Sequence, residues 1–246
     1  MSKHEKFIMT PVMSILEEMK AATTCLESGV AIYPLLDYVF QSTFIKMTGF
    51  IEQKLKCIDW ELATNDYDYR RDYLKNVRDR GEYSTYDAKN GVYKKMIETL
   101  CKLKQVDDNE LFSNLKGSVI TFPKGKIEKL FVGTNAIFGR ERDYNAFLQC
   151  ECDIYRDQFL HSKNSLLELD LKDQYVNKVY RNRNRIAHNT TSYQRNLPNL
   201  TELENEDNLS RNYFFWFAIL VLIDDIFTEL YRQYSNCLYN CSYFDE

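Results

Sequence analysis

Between Tyr180 and Asn189 the chain reads Tyr-Arg-Asn-Arg-Asn-Arg-Ile-Ala-His-Asn. Arg181, Arg183 and Arg185 alternate with Asn182 and Asn184, and His188, one of three histidines, closes the run. A guanidinium is a permanent charge with a planar fork of donors suited to phosphate oxygens. An imidazole is the side chain whose ordinary pKa lies nearest neutrality. Arginine and histidine this close supply a phosphate clamp and an acid or base within two helical turns.

Helix geometry says which of these side chains can meet. At about 100° per residue, Arg181, Asn184 and His188 share a face, at i, i+3 and i+7. Arg183 is offset from His188 by about 140° on an ideal helix. The two converge only if the helix ends or loosens near Ala187, or if they meet groups of a second subunit. The polar residues Asn189, Thr190, Thr191 and Ser192 make such an ending plausible.

The surrounding charge fits a phosphate site. The net charge is −4, so no global basic field draws in nucleic acid. Yet from Gln174 to Thr201 there is no Asp or Glu, while Lys178, Arg181, Arg183, Arg185 and Arg195 are present. A basic stretch in an acidic chain is the local footprint expected of a polyanion site. The bland alternative is a solvated helix end, where cations are favourable in any case.

The run Arg183-Asn184-Arg185-Ile186-Ala187-His188 resembles the motif of the HEPN superfamily, an Arg, often followed by a polar residue, then a His after four to six intervening residues. Arg183 leaves four and Arg181 leaves six, and an Asn follows each. The resemblance covers six to eight residues and implies a compact helical domain, usually dimeric, with the motifs of both protomers lining one cleft. It implies a metal-independent endoribonuclease of toxin, abortive-infection or antiviral type, needing no cofactor. Arg183, Asn184 and His188 would then be catalytic, and Arg181, Arg185 and Lys178 would bind RNA. The expected partners are RNA, a second copy of the chain, and an antitoxin or sensor protein. One subgroup carries Tyr two residues after the His; here that position is Thr190, a departure from it. The competing reading from another class is a non-catalytic RNA- or protein-binding module of a defence complex.

The composition suits helices. The 246 residues are 44% hydrophobic and 14% aromatic, ample for a large core. Eight glycines and four prolines are few, against an all-β fold with many tight turns. The expectation is one all-α domain over residues 1–246, a HEPN-like helical bundle with a polar insertion near 60–90 and the motif-bearing helices in 143–239. The seven cysteines are odd in number and scattered, and no secretory signal precedes them, which reads as reduced thiols in the cytoplasm. Cys150-Glu-Cys152 and Cys237-x3-Cys241 could be imagined as a zinc site, but the first pair lacks the usual two-to-four-residue gap, so no metal is expected. The longest uncharged apolar run, Tyr213 to Ile223, is too short to span a bilayer.

The elements that position the motif follow from periodicity. Met1 to Thr10 reads as a polar start, and Thr10-Pro11 as the cap and first residue of a helix. Val30 to Ile58 reads as a long helix, apolar on more than one face and kinked at Pro34. Asp59 to Asn90 is rich in Tyr, Asp and Arg: a polar helix over 68–80, then a loop over 81–91. Helices are expected over 92–103, from 126, over 145–161 and over 166–187, with 107–115 a short helix or turn and Ser118–Phe122 an extended connection. The helix over 166–187 would turn Leu169, Leu171, Tyr175, Val176 and Val179 inward. A last helix from Leu209 to Tyr239, almost wholly apolar in its first half, is expected at the centre of the domain, and in a dimer it could also supply the interface.

Overall fold

A computed structural model describes residues 2–26, 32–75, 83–105, 110–112, 115, 123–138, 140–149, 159–188 and 212–242; at His161, His188, Cys241 and Ser242 it describes the backbone alone. The fold is all-α, with one short hairpin among the described residues. The helices are α1 (Lys3–Met9), α2 (Met13–Thr23), α3 (Tyr33–Asn65), α4 (Tyr67–Lys75), α5 (Tyr86–Lys104), α6 (Pro123–Phe131) and α7 (Glu141–Gln149). The hairpin pairs β1 (Phe159–Ser162) with β2 (Ser165–Leu167). Then come α8 (Leu169–Gln174), a π-helical segment (Tyr175–Tyr180), α9 (Arg181–His188) and α10 (Tyr213–Ser242).

Helix α10 is the axis of the core. Phe214, Trp216, Phe217, every residue over 218–224, Ile226 and Phe227 are buried. Residues 218–223 include no polar side chain, so the helix is enclosed on every side rather than along one stripe. Phe214 meets Phe40 of α3 and Phe131 of α6 edge-on at 5.4 and 5.3 Å, the geometry the ring quadrupoles favour. The helix takes the central place expected of it. An ion pair lies inside this core. Lys54 Nζ reaches Asp224 Oδ1 at 2.5 Å, and the backbone N–H of Val12 donates to Asp224 Oδ2 at 2.8 Å. Lys54 also donates to Thr10 O at 2.8 Å and Thr228 Oγ1 at 3.1 Å, so the α1–α2 junction is tied to α3 and α10.

Helix α3 is amphipathic rather than apolar on several faces. Leu36, Phe40, Phe44, Met47, Ile51, Leu55, Ile58 and Leu62 are buried in steps of four and three, which keeps one stripe in register. Leu35, Tyr38 and Trp60 fall outside it and are exposed. Pro34 sits in the first turn, where its missing N–H costs nothing, so it starts the helix and does not kink it.

Other boundaries also differ from expectation. The first residues form α1, capped reciprocally by Ser2 and Glu5. Pro11 precedes α2 instead of opening it, because the helix begins after an uncapped Val12. Helix α5 starts at Tyr86, where Thr85 accepts the N–H of Ala88, so much of the expected loop is helical. Within the polar insertion α4 buries no residue, but Tyr83, Ser84, Tyr86 and Lys89 are buried. Phe159 and Leu160, within the helix expected over 145–161, are core residues but lie in β1. Ser118–Phe122 and Cys150 to Gln158 lie outside the described residues, as do Asn189 to Arg211.

The hairpin sets where the motif helix begins. Tyr93 of α5 donates to Ser162 O at 2.9 Å, and Asn90 Oδ1 accepts the N–H of Leu166 at 2.9 Å. Leu169 follows at once and is 72% exposed, a correction to its inward placement. Leu171, Tyr175 and Val179 are buried as the period requires, and Val176 is half-buried.

Candidate functional site

Leu169 to His188 runs as one helical path whose middle, Tyr175–Tyr180, is π-helical. A π segment shifts the faces before and after it relative to each other, and such segments are frequent at functional sites. The motif lies just beyond the shift. Tyr175 anchors it from inside, its hydroxyl donating to Ser84 O at 2.8 Å.

Downstream of the shift, α9 is regular through His188. The backbone therefore puts Arg181, Asn184 and His188 on one face, and leaves Arg183 about 140° from His188. The helix does not loosen at Ala187, so the two positions stay about 140° apart around its backbone. The side chain of His188 lies outside the described residues.

Arg183 is held by the fold. Its Nη2 lies 2.9 Å from Glu52 Oε1 on α3, and its Nη1 donates to Asn184 Oδ1 at 2.9 Å. The Arg183 and Glu52 side chains are 19% and 16% exposed, so the pair is shielded more than a surface salt bridge. The planar fork thus spans a carboxylate and an amide, and one edge remains for another acceptor.

The other basic residues face solvent to different degrees. Arg181 is exposed, and Lys178 and Arg185 are half-buried. Asn182 is turned back on the helix, its Nδ2 donating to Lys178 O at 2.7 Å. Ile186 packs against the core and fixes the rotation of α9.

Beneath Arg183 lies a small chamber of about 10 Å³, room for about one water. Its lining includes Glu52, Arg183, Ser84, Lys89, Tyr175 and Leu220. Lys89 is 2% exposed, and its Nζ donates to Tyr83 O and, at 3.1 Å, to Ser84 O. Burial pushes its amine from the ordinary 10.5 to about 7; Glu52 raises it and Arg183 lowers it further. Burial also pushes the Tyr175 phenol up, with Glu52 adding to the shift. Among the described residues, the buried Ser84 Oγ has no hydrogen-bond partner.

Glu52, Ser84, Lys89 and Tyr175 were not singled out as site residues by the sequence. A signal existed for Lys89: the buried stripe of α5, traced back from Leu100 through Ile97 or Met96 and Tyr93, reaches Lys89 and Tyr86 at steps of three and four. Glu52 is an acid beside the buried Ile51 in the most regular apolar stripe of the chain. The inward spacing of Tyr175 reads as core alone. Nothing local marks Ser84.

No group of three or more His, Cys, Asp or Glu side chains among the described residues could hold a metal ion, and Cys150 and Cys152 lie outside them. Among the described residues no helix is long and apolar enough to cross a membrane. No protein-family model, curated protein or solved structure matches the chain.

Proposed function

We propose that the chain is an endoribonuclease of HEPN type, acting without a metal at a cleft where the motif helices of two protomers meet. The observation that carries the reading is the regular backbone of α9, which aligns Arg181, Asn184 and His188 on one face, while Arg183, offset from that face, is already held in place by Glu52. Absence of any acid from Gln174 to Thr201 leaves that face attractive to phosphate.

The reaction is an internal transfer. The RNA 2′-oxygen attacks the adjacent phosphorus as its proton passes to a base, and the bond to the 5′-oxygen breaks as that oxygen receives a proton. The products carry a 2′,3′-cyclic phosphate and a 5′-hydroxyl. His188 moves the proton, a contribution of about 10²–10⁴-fold. Arg183 stabilises the charge on the pentacoordinate phosphorus, where its fixed position avoids reorganisation. Asn184 orients the phosphate or the imidazole, and Arg181, Arg185 and Lys178 hold the flanking backbone. Arg181 is the alternative to Arg183 as partner of His188, and their shared face supports it. A second copy answers the 140° offset of Arg183 from His188, an angle of about 100° per residue over five residues, since a cleft between two helices can draw one group from each. The protein would be cytoplasmic and governed by an antitoxin or sensor.

Incubation with single-stranded RNA in excess EDTA tests the proposal. Cleavage leaving 2′,3′-cyclic phosphate ends is expected. Intact RNA that is nevertheless bound would point to the non-catalytic binding module instead.

A further inference from the structure

Lys89 is a buried amine for which the proposed chemistry has no use. It lies on α5 between the Tyr83–Ser84 turn, the face of the Tyr175 ring at 5.6 Å, and the chamber it shares with Glu52 and Arg183. Its hydrogen bonds suit one protonation state better than the other. A neutral amine has two N–H donors, and two carbonyls accept from it. An ammonium has a third, which must turn to the ring face or the chamber. A proton gained there sets a second cation near the carboxylate that Arg183 is using.

We infer that Lys89 is a positioning residue for Arg183: across the chamber it sets how tightly Glu52 holds the guanidinium, the pair loosening when Lys89 is protonated and tightening when it is neutral. The inference concerns regulation of the proposed site and rests on the reading that Arg183 serves it. Among the described residues lining the chamber, few titratable or charged groups face Lys89. Glu52 comes from α3, Arg183 from α9, and Tyr175 and Tyr180 from the π segment, while α10 contributes the apolar Leu220. Tyr175 has its phenol shifted upward and stays protonated around neutrality. Lys89 is then the group expected to change charge near pH 7 within this cluster. Ser84 Oγ, lacking a partner among the described residues, lines the same space and is placed to bind one water that relays the change.

The test is side-chain ¹⁵N NMR of Arg183 in the full chain between pH 6 and 9. The signal is assigned by its loss in Arg183→Lys. His188→Asn is used as the background, because an imidazole on the same helix titrates in this range. The expected result is a shift of the Arg183 Nε–H signal with one midpoint near 7, absent in Lys89→Met and Lys89→Gln. A flat signal, or the same shift in both variants, overturns the inference. Should neither variant fold, the lysine ¹³Cε signals decide: one with the midpoint of Arg183 supports it, and none does the reverse. RNA plays no part in the readout. A flat Arg183 signal in an active ribonuclease refutes this inference alone, and a titrating signal in an inactive protein leaves it standing while the proposed function fails.

Discussion

Stability against pH offers a direct view of Lys89. Its amine is near 7 in the folded chain and at the ordinary 10.5 when unfolded. Between those values the unfolded chain binds the extra proton, so stability rises with pH. The stabilising contribution is fully present above 10.5 and is lost as pH falls through 7. Each pH unit inside the window contributes about 1.4 kcal/mol, and rounding near the folded midpoint leaves about 2 kcal/mol between pH 7 and 9. Lys54 has a lowered pKa, again chiefly by burial, and adds a slope of the same sign. The comparison is therefore between wild type and Lys89→Met, in which Lys54 is unchanged. Urea unfolding at half-unit steps gives both curves, and their difference isolates Lys89. The expected difference changes by about 2 kcal/mol between pH 7 and 9, whatever the offset from lost carbonyl partners. Parallel curves would mean that Lys89 stays charged in the fold, and the reasoning from burial would be wrong.

Three further outcomes follow from the same contacts. Glu52→Gln should cost about 1.5–3 kcal/mol, the range for a hydrogen bond to a charged group, and should lower the Lys89 midpoint, since Glu52 raises it; calorimetry and lysine NMR read the two effects. Asp224→Asn should cost about 3–5 kcal/mol by leaving the buried Lys54 without its carboxylate, measured as a fall in the urea midpoint. Arg183→Ala should lower RNA turnover and Arg181→Ala mainly RNA binding if Arg183 is the working arginine; single-turnover kinetics would show the reverse pattern if the face shared with His188 decides.

Much of the helical order was legible because burial here follows simple periods. Residues 213–223 carry no charge, and a helix of that kind must be enclosed. The Ser2-x-x-Glu5 pattern signalled the start of α1, but the polar composition of the first ten residues concealed it. The hairpin was not legible, because Phe159 and Leu160 fit a helical period as well as a strand, and pairing with 165–167 is what decides. At the site, the local face of α9 could be drawn from the helical repeat alone. The partner of Arg183 could not: Glu52 is 131 positions away, and only tertiary packing brings them together. Lys89 reads as polar loop from its neighbours Asn90 and Gly91, and only the α5 stripe traced back from Leu100 points to its burial. Its carbonyl partners come from a turn that local propensity does not reveal.

The central claim is tested most directly by His188→Ala, assayed for cleavage of single-stranded RNA in EDTA beside its thermal melt. The residue ends α9, so stability should stay within about 0.5 kcal/mol of wild type. Cleavage should fall by about 10²–10⁴-fold, the share of a lost proton-transfer group. A variant that melts normally and still cuts RNA at the wild-type rate would contradict the catalytic reading of Arg183, Asn184 and His188.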